Sequence, residues 1–292
     1  ILNCFAVGKK NEVGEMVLNT QSARIVIDCS KGLNENTIFK AAQSDGIKET
    51  VDIAAKHSKK GYIGKLDISQ MFYCFHLHRS LWKYFVIEHP LYGKFCYKRL
   101  PMGWAISPQV VREFMLKILY KFKDHTRRYL DDILLFSNSK SEFVDLVDKV
   151  LTTLEITGFK LKGSKMSLLG TSLDLLGKKI ENGEILASAH AVKDLRSLNS
   201  DSIKTKQKLK SFLGIAAYIS DHIPHQATLF ATLRKESIGV NRQPIDWTDE
   251  LKRSLEIVHK KLDKLMKICP VDPEKEIFGV FDSSYLCNAA FF

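Results

Sequence analysis

The 292 residues contain no apolar run of the roughly 18 residues needed to cross a bilayer as a helix. The opening "ILNCFAVG" lacks a basic stretch and is too short for a secretory signal. It also lacks an initiator Met, so the expectation is a piece of a longer polypeptide. Six cysteines (Cys4, Cys29, Cys74, Cys96, Cys269, Cys287) occur with no C-x-x-C spacing, which argues against a zinc site. They read as reduced core residues of an intracellular protein. No internal repeat and no low-complexity tract is present. Acidic residues are in deficit, 33 against 44 lysines and arginines, for a formal net charge of +11. That excess favours a polyanionic partner, although charge alone does not separate nucleic acid from an acidic membrane. What the chain does have is apolar residues, 45% of the total, and a length that suggests two or three domains.

Periodicity assigns the elements. In "SPQVVREFMLKILYKFK", Val110, Val111, Phe114, Met115, Ile118, Leu119 and Phe122 form one helical stripe, with Ser107 as cap and Pro108 at the first helical position. "KSEFVDLVDKVLTTLEITG" repeats the pattern, with a capping box from Ser139 and Glu142 and a stop at Gly158. Strands are expected at "YIGKLDI", "YFVIE", "KFCYK", "RRYL" and "DILLFS". "LDLLGKKI" and "EILAS" read as two strands joined through Asn182-Gly183. After Ser188 come basic amphipathic helices in "HAVKDLRSL" and "TKQKLKSFLGIAAYISDHI", then one in "DWTDELKRSLEIVHKKLDKLMK". "EIFGVFDSS" and "NAAFF" look like two further strands.

The chemistry concentrates in "RRYLDDILLFS", where Asp131 and Asp132 stand between two strand candidates. Strand interiors disfavour Asp, so the pair belongs at a hairpin turn. Two adjacent acids repel unless a positive charge lies between them, and a divalent cation meets that need. Upstream, Asp67 ends the strand "GKLDI"; taken alone it is a capping or turn residue. Gly103 in "RLPMGWAISPQ" sits between a proline-led turn and a helix. The order strand-Asp67, Pro-x-Gly turn, then Tyr129-Leu130-Asp131-Asp132 is more informative than any member.

With these residues in view, the chain resembles the reverse transcriptases of retroviruses and long-terminal-repeat retrotransposons. "RIVIDCSKGLN" is similar to the finger segment, "KLDISQMF" to the first palm motif, "RLPMGWAISPQ" to the nucleotide-pocket turn, and "YLDDILLFS" to the Y-x-D-D motif. "LLGKKI" is similar to the primer-grip hairpin, "KLKSFLGIAAYISDHIP" to the thumb, and "IDWTDELKRSLEIV" with "FGVFDSS" to the connection into ribonuclease H. The resemblance implies an α+β right-hand polymerase with an antiparallel palm sheet, plus a connection and a truncated ribonuclease H-like hairpin. Fingers and palm would fill 1–188, the thumb 189–240, the connection 241–275 and the ribonuclease H start 276–292. Ribonuclease H activity is not expected, because no second carboxylate follows Asp282.

The implied reaction is RNA- and DNA-templated DNA synthesis, by in-line attack of a primer 3′-hydroxyl on an α-phosphorus. Two Mg²⁺ ions, for which Mn²⁺ could substitute, would stand about 3.5–4 Å apart. Asp67 and Asp131 would bridge them, with Ile68 beside them, and Asp132 would act less directly. Lys165 aligns with a lysine proposed to protonate pyrophosphate, although Lys160 and Lys162 lie close enough to leave the register open. Arg24 would grip the triphosphate, helped by Lys9 or Lys10 and by backbone N–H groups of Ser69, Gln70, Met71 and Phe72. The Phe72 ring would exclude a ribose 2′-hydroxyl, and Met102 and Gly103 would floor the pocket. Tyr129, Leu176 and Gly177 would meet the primer. Lys193, Arg196, Lys204, Lys206, Lys208 and Lys210 would track a duplex backbone. Implied partners are a primed RNA or DNA template, dNTPs and other Pol or Gag polyprotein parts, with no membrane, in the cytoplasm within virus-like particles. The competing readings are a domesticated or inactive relative that only binds nucleic acid or protein, and an RNA-dependent RNA polymerase, which Phe72 disfavours.

Overall fold

The structure is a computed structural model that describes residues 1–7, 9–10, 16–17, 24–38, 46–223, 229–272, 276, 280–283 and 288–291. Arg24, Lys9 and Lys10 are described in backbone only, as are the strands after residue 279, and Cys287 lies outside the described residues. Contacts divide the chain into one unit of residues 1–50 and 60–173, and a second of residues 51–59 and 174–292. The architecture is α+β with antiparallel sheets.

The first unit begins with an antiparallel ribbon of β1 (Asn3–Val7) and β4 (Arg24–Asp28), while β2 (Lys9–Lys10) pairs with β3 (Met16–Val17). Its centre is a four-stranded sheet ordered β10 (Ser167–Gly170), β5 (Tyr62–Asp67), β9 (Asp132–Ser137), β8 (Thr126–Tyr129). β6 (Val86–His89) and β7 (Gly93–Cys96) form a separate hairpin. Leu66, Ile133 and Leu135 are fully buried in one cluster with Val111, Met115 and Leu119 of the α2 region (Ser107–Ile118) and Phe143, Val150 and Leu154 of α3 (Lys140–Ile156). Each such side chain contributes about 1.5–3 kcal/mol by leaving water. Gly64 permits this packing: a Cβ there would lie 2.9 Å from the Phe143 ring.

In the second unit, β11 (Ser172–Leu175, which starts just before the division), β12 (Lys178–Glu181) and β13 (Glu184–Leu186) form a three-stranded sheet. Residues 51–59, most of α1 (Ile47–Lys60), belong with it; the Gly183 N–H donates to Ser58 Oγ at 2.8 Å. Among the described residues four helices follow, α4 (Ala189–Ser197), α5 (Lys206–Tyr218), α6 (Ala231–Glu236) and α7 (Asp249–Lys261). Leu195, Leu209, Phe212, Leu233 and Val258 are fully buried among them. Ser188, Thr205 and Thr248 cap α4, α5 and α7 by accepting from backbone N–H groups three residues on. β14 (Val280–Ser283) and β15 (Asn288–Phe291) pair as a hairpin. Among the described residues, no helix is long and apolar enough to cross a membrane.

Several local expectations are corrected. Ser107 is not a cap but the first residue of α2, and its hydroxyl donates to Pro101 O at 2.8 Å. Ser139 precedes α3 without capping it: its hydroxyl pairs with Ser141 Oγ and its N–H donates to Ser137 Oγ, while Glu142 accepts from Ser137 Oγ instead of closing a box. The α2 stripe is narrower than the sequence suggests: Val111 and Met115 are buried, whereas Val110 and Phe114 are 36% and 37% exposed. "LDLLGKKI" is two strands, broken at Leu176-Gly177, whose φ angles of 48° and 71° make a second tight turn like Asn182-Gly183 (50° and 85°). The cysteines are free thiols among the described residues, but Cys4, Cys96 and Cys269 are exposed rather than in the core.

Candidate active site

Of the Asp pair, Asp131 lies in the hairpin turn as expected, whereas Asp132 is the first residue of β9. β8 ends at Tyr129 and β9 begins at Asp132, and these two residues are opposite each other across the ladder. Leu130 and Asp131 form the connecting turn, with Leu130 in the left-handed region (φ 52°) and its carbonyl accepting from Arg128 Nη1 at 3.1 Å. Asp131 is exposed and Asp132 half-buried. The register of β5 against β9 sets Asp67 directly opposite Asp132, while the Ile68 N–H donates to Asp131 O at 3.1 Å. Three carboxylates from two sequence-distant segments therefore gather at one end of one sheet.

Two lysines attend them. Lys165 Nζ lies 3.2 Å from Asp67 Oδ2, and Lys65 Nζ lies 3.7 Å from Asp132 Oδ1. Lys165 arrives because its segment is pinned alongside the Asp67 strand. The Lys162 N–H donates to Asp67 O, the Ser69 N–H donates to Lys160 O, and Ile68 bridges Leu161. That geometry makes Lys165, of three neighbouring lysines, the one that reaches the acids. Burial pushes the Asp132 carboxyl above its ordinary value; Lys65 pulls it down, and the charges of Asp131 and Asp67 push it up again. Among the described residues, no three His, Cys or carboxylate side chains already converge as a metal cage. Their oxygens are nonetheless the hard donors that a divalent cation such as Mg²⁺ prefers, and they already share one electrostatic field.

Next to the acids, Gln70 takes φ 52° and opens a 3₁₀ turn, Met71–Cys74. Met71 is buried and Phe72 half-buried against the core. The expected phosphate contact from the Ser69 N–H is corrected, since that group is already bonded to Lys160 O at 2.7 Å. Gly103 (φ +101°) presses on β4: a Cβ would lie 2.8 Å from Ile27 O. Met102 beside it is half-buried. Asn34, missed in the sequence, braces this turn by donating to Gly103 O at 3.0 Å and accepting from the Ala105 N–H at 2.9 Å. No local signal marked it, because both partners are about seventy residues away. Lys65 was missed as well, although its place two residues before Asp67 on a strand was a usable clue. Arg24 heads β4 opposite Val7, and Lys9 and Lys10 stand opposite Val17 and Met16.

In the second unit, the Tyr218 hydroxyl donates to Leu176 O, and Lys178 Nζ lies 3.4 Å from His222 Nε2 and 3.6 Å from Asp221 Oδ2. The lysine series divides. Lys193, Lys204 and Lys208 are exposed, and Arg196 pairs with Asp263 at 2.8 Å. Lys210 donates to Gly239 O and Asn241 Oδ1, both at 3.0 Å. Lys206 is corrected as a phosphate contact: it is 9% exposed, and its ammonium donates to Ile238 O at 2.6 Å.

The family model of reverse transcriptase (RNA-dependent DNA polymerase) matches residues 9–180. An enzymatic polyprotein of cassava vein mosaic virus is 28% identical over 197 residues, which is 68% of this chain and 30% of that protein. The enzymatic polyprotein of cauliflower mosaic virus (strain D/H) is 27% identical over 195 residues, 66% of this chain and 28% of the relative. Among solved structures, a foamy viral protease-reverse transcriptase in complex with double-stranded DNA superposes with a TM-score of 0.81 at 19% identity, covering 97% of this chain and 47% of that one. Another in complex with an RNA/DNA hybrid gives 0.76 at 19% identity, covering 90% and 33%. This chain thus spans less than a third of those two curated relatives. The match over more than half of its own length shows that it belongs to the reverse transcriptase family.

Proposed function

We propose that this chain catalyses DNA synthesis on a primed RNA or DNA template from dNTPs. The observation that carries the reading is the β5–β9 register, with Asp67 opposite Asp132 and Asp131 in the adjoining turn. In this reading residues 1–188 act as fingers and palm, 189–240 as thumb, 241–275 as connection, and 276–292 as the start of a ribonuclease H-like domain. Duplex and hybrid nucleic acid in the structures of fold neighbours support the choice of partner. Work within cytoplasmic particles alongside other polyprotein parts fits the same reading.

Asp67, Asp131 and the Ile68 backbone, with Asp132 behind them, would hold two divalent ions, Mg²⁺ by preference and Mn²⁺ as substitute. When bound, such ions supply a lowered pKa for the primer 3′-hydroxyl and positive charge opposite the departing pyrophosphate. The protein's own groups do the rest. Arg24 and the backbone N–H groups of Gln70, Met71 and Phe72 orient the triphosphate, with Lys9 or Lys10 as a further cation. Lys165, already within reach of Asp67, is placed to give a proton to pyrophosphate. The Phe72 ring excludes a 2′-hydroxyl, and Met102 and Gly103 bound the base. Tyr129 and the Leu176-Gly177 turn hold the primer end. Lys193, Arg196, Lys204, Lys208 and the remaining donor of Lys210 follow the duplex backbone.

The test is single-turnover primer extension with Mg²⁺ beside a filter-binding measurement. Asp131→Asn is expected to abolish incorporation while leaving duplex affinity within a few-fold. Activity within tenfold of the unmodified chain would remove Asp131 from the site.

A further inference from the structure

Lys65 and Asp67 alternate with Leu66 on β5, so both side chains leave the same face of the strand. Across the ladder Asp132 faces Asp67 and Leu134 faces Lys65, which makes Lys65 and Asp132 diagonal neighbours on that face. Both side chains are only 19% exposed. An ammonium held there loses much of its hydration, and a carboxylate offsets that loss only while the two remain together. Lys165 differs, since it is 52% exposed and can turn into water at little cost. Asp131 is exposed at the turn, and no salt bridge to it is formed by any other described residue. Of three acids, one thus has a fixed internal cation, one a removable cation, and one none among the described residues.

We propose that Lys65 is a positioning residue that keeps Asp132 out of the metal shell, so that Asp67 and Asp131 alone supply carboxylates to the divalent ions. The inference rests on the polymerase reading and divides labour between the two adjacent acids. The diagonal pair ties Asp132 back along β5 to Lys65, while the turn leaves Asp131 exposed at the sheet end. Remove the Lys65 charge and Asp132 is left half-buried with two other acids nearby. A third hard carboxylate then becomes available, and affinity for a divalent ion rises with the number of charged ligands.

The test is titration of Mn²⁺, followed by electron paramagnetic resonance, on the whole chain bound to a primed duplex without nucleotide. Lys65→Met is expected to tighten Mn²⁺ binding by at least about threefold, because the released Asp132 carboxylate joins the ligands. Lys65→Arg should stay within about twofold, because the charge is kept. With Asp132→Asn already present, Lys65→Met should change nothing, since Lys65 acts through Asp132. An unchanged or weakened midpoint in Lys65→Met overturns the proposal, as does the same tightening in the Asp132→Asn background. Lys65→Gln gives the same readout if circular dichroism shows that the Met variant does not fold. Absence of Mn²⁺ binding by the unmodified chain would overturn the polymerase reading too, whereas normal binding with an inert Lys65 overturns this inference alone.

Discussion

Tyr218, the last residue of α5, gives its hydroxyl hydrogen to the carbonyl of Leu176 at the turn between β11 and β12. The turn needs such a hold. Leu176 is a branched residue at positive φ, a conformation costing of order 1 kcal/mol or more. A Cβ on Gly177 would overlap the Tyr218 ring, so glycine is the residue that allows the phenol its seat. Tyr218→Phe is expected to destabilise the chain by about 1 kcal/mol. If the turn holds the primer end, duplex affinity should weaken several-fold while the KM for nucleotide stays constant. Comparing primer-template Kd with nucleotide KM makes the distinction.

Gly103→Ala tests the pocket turn. Alanine disfavours a φ of +101°, and its Cβ would come within 2.8 Å of Ile27 O. A loss of at least about 1 kcal/mol in urea unfolding is expected, together with a raised KM for every dNTP. An unchanged KM would mean that the turn is only structural.

Phe72→Val probes sugar choice. The ring is half-buried against the core, so truncation should cost about 1–2 kcal/mol of stability whatever else it does. If the exposed part of the ring excludes a 2′-hydroxyl, the kcat/KM ratio of rNTP to dNTP rises at least about tenfold. Loss of stability with the ratio intact would make Phe72 a packing residue.

His222 predicts a pH response. It is fully buried, Nδ1 donating to Met266 O at 2.9 Å and Nε2 facing Lys178 Nζ. Burial holds the imidazole below its ordinary value of 6.5; the Met266 bond pulls it up, Lys178 down and Asp221 up, less strongly. The unfolded chain therefore takes a proton at a pH where the folded chain refuses it. Stability from this group is complete above pH 6.5 and is lost as pH falls from there toward the lower folded value. Thermal melts between pH 7.5 and 5 should fall more steeply for the unmodified chain than for His222→Gln, with intrinsic stabilities compared at high pH.

Much of the site was legible because its signals are local. The strands on either side point Asp131-Asp132 to a turn, and Asp131 lies there while Asp132 opens β9; Asn182-Gly183 announces its own turn. Leu176-Gly177 does not, because leucine rarely takes positive φ and nothing nearby in sequence shows the Tyr218 contact that holds it. Lys206 illustrates a different limit. It shares a helical face with buried Leu209 and Phe212, so its burial follows from periodicity, but the carbonyl of Ile238 that receives its ammonium is 32 residues away. The pairing of Lys65 with Asp132 likewise depends on a strand register that only the folded sheet fixes.

Asn34 couples two stretches of chain that could otherwise be exchanged independently. One amide reads both sides of the Gly103 turn, its nitrogen on the Gly103 carbonyl and its oxygen on the Ala105 N–H. A hybrid gene that takes the codons matching residues 1–40 from a relative and the remainder from this one would keep every acid at the sheet end. If the incoming segment carried a residue other than asparagine at position 34, the pocket turn would lose an acceptor and a donor at once. Recombination between related elements is thus constrained at a position that takes no part in the chemistry, and crossover points that separate Asn34 from Gly103 should be recovered only where the donor also supplies asparagine.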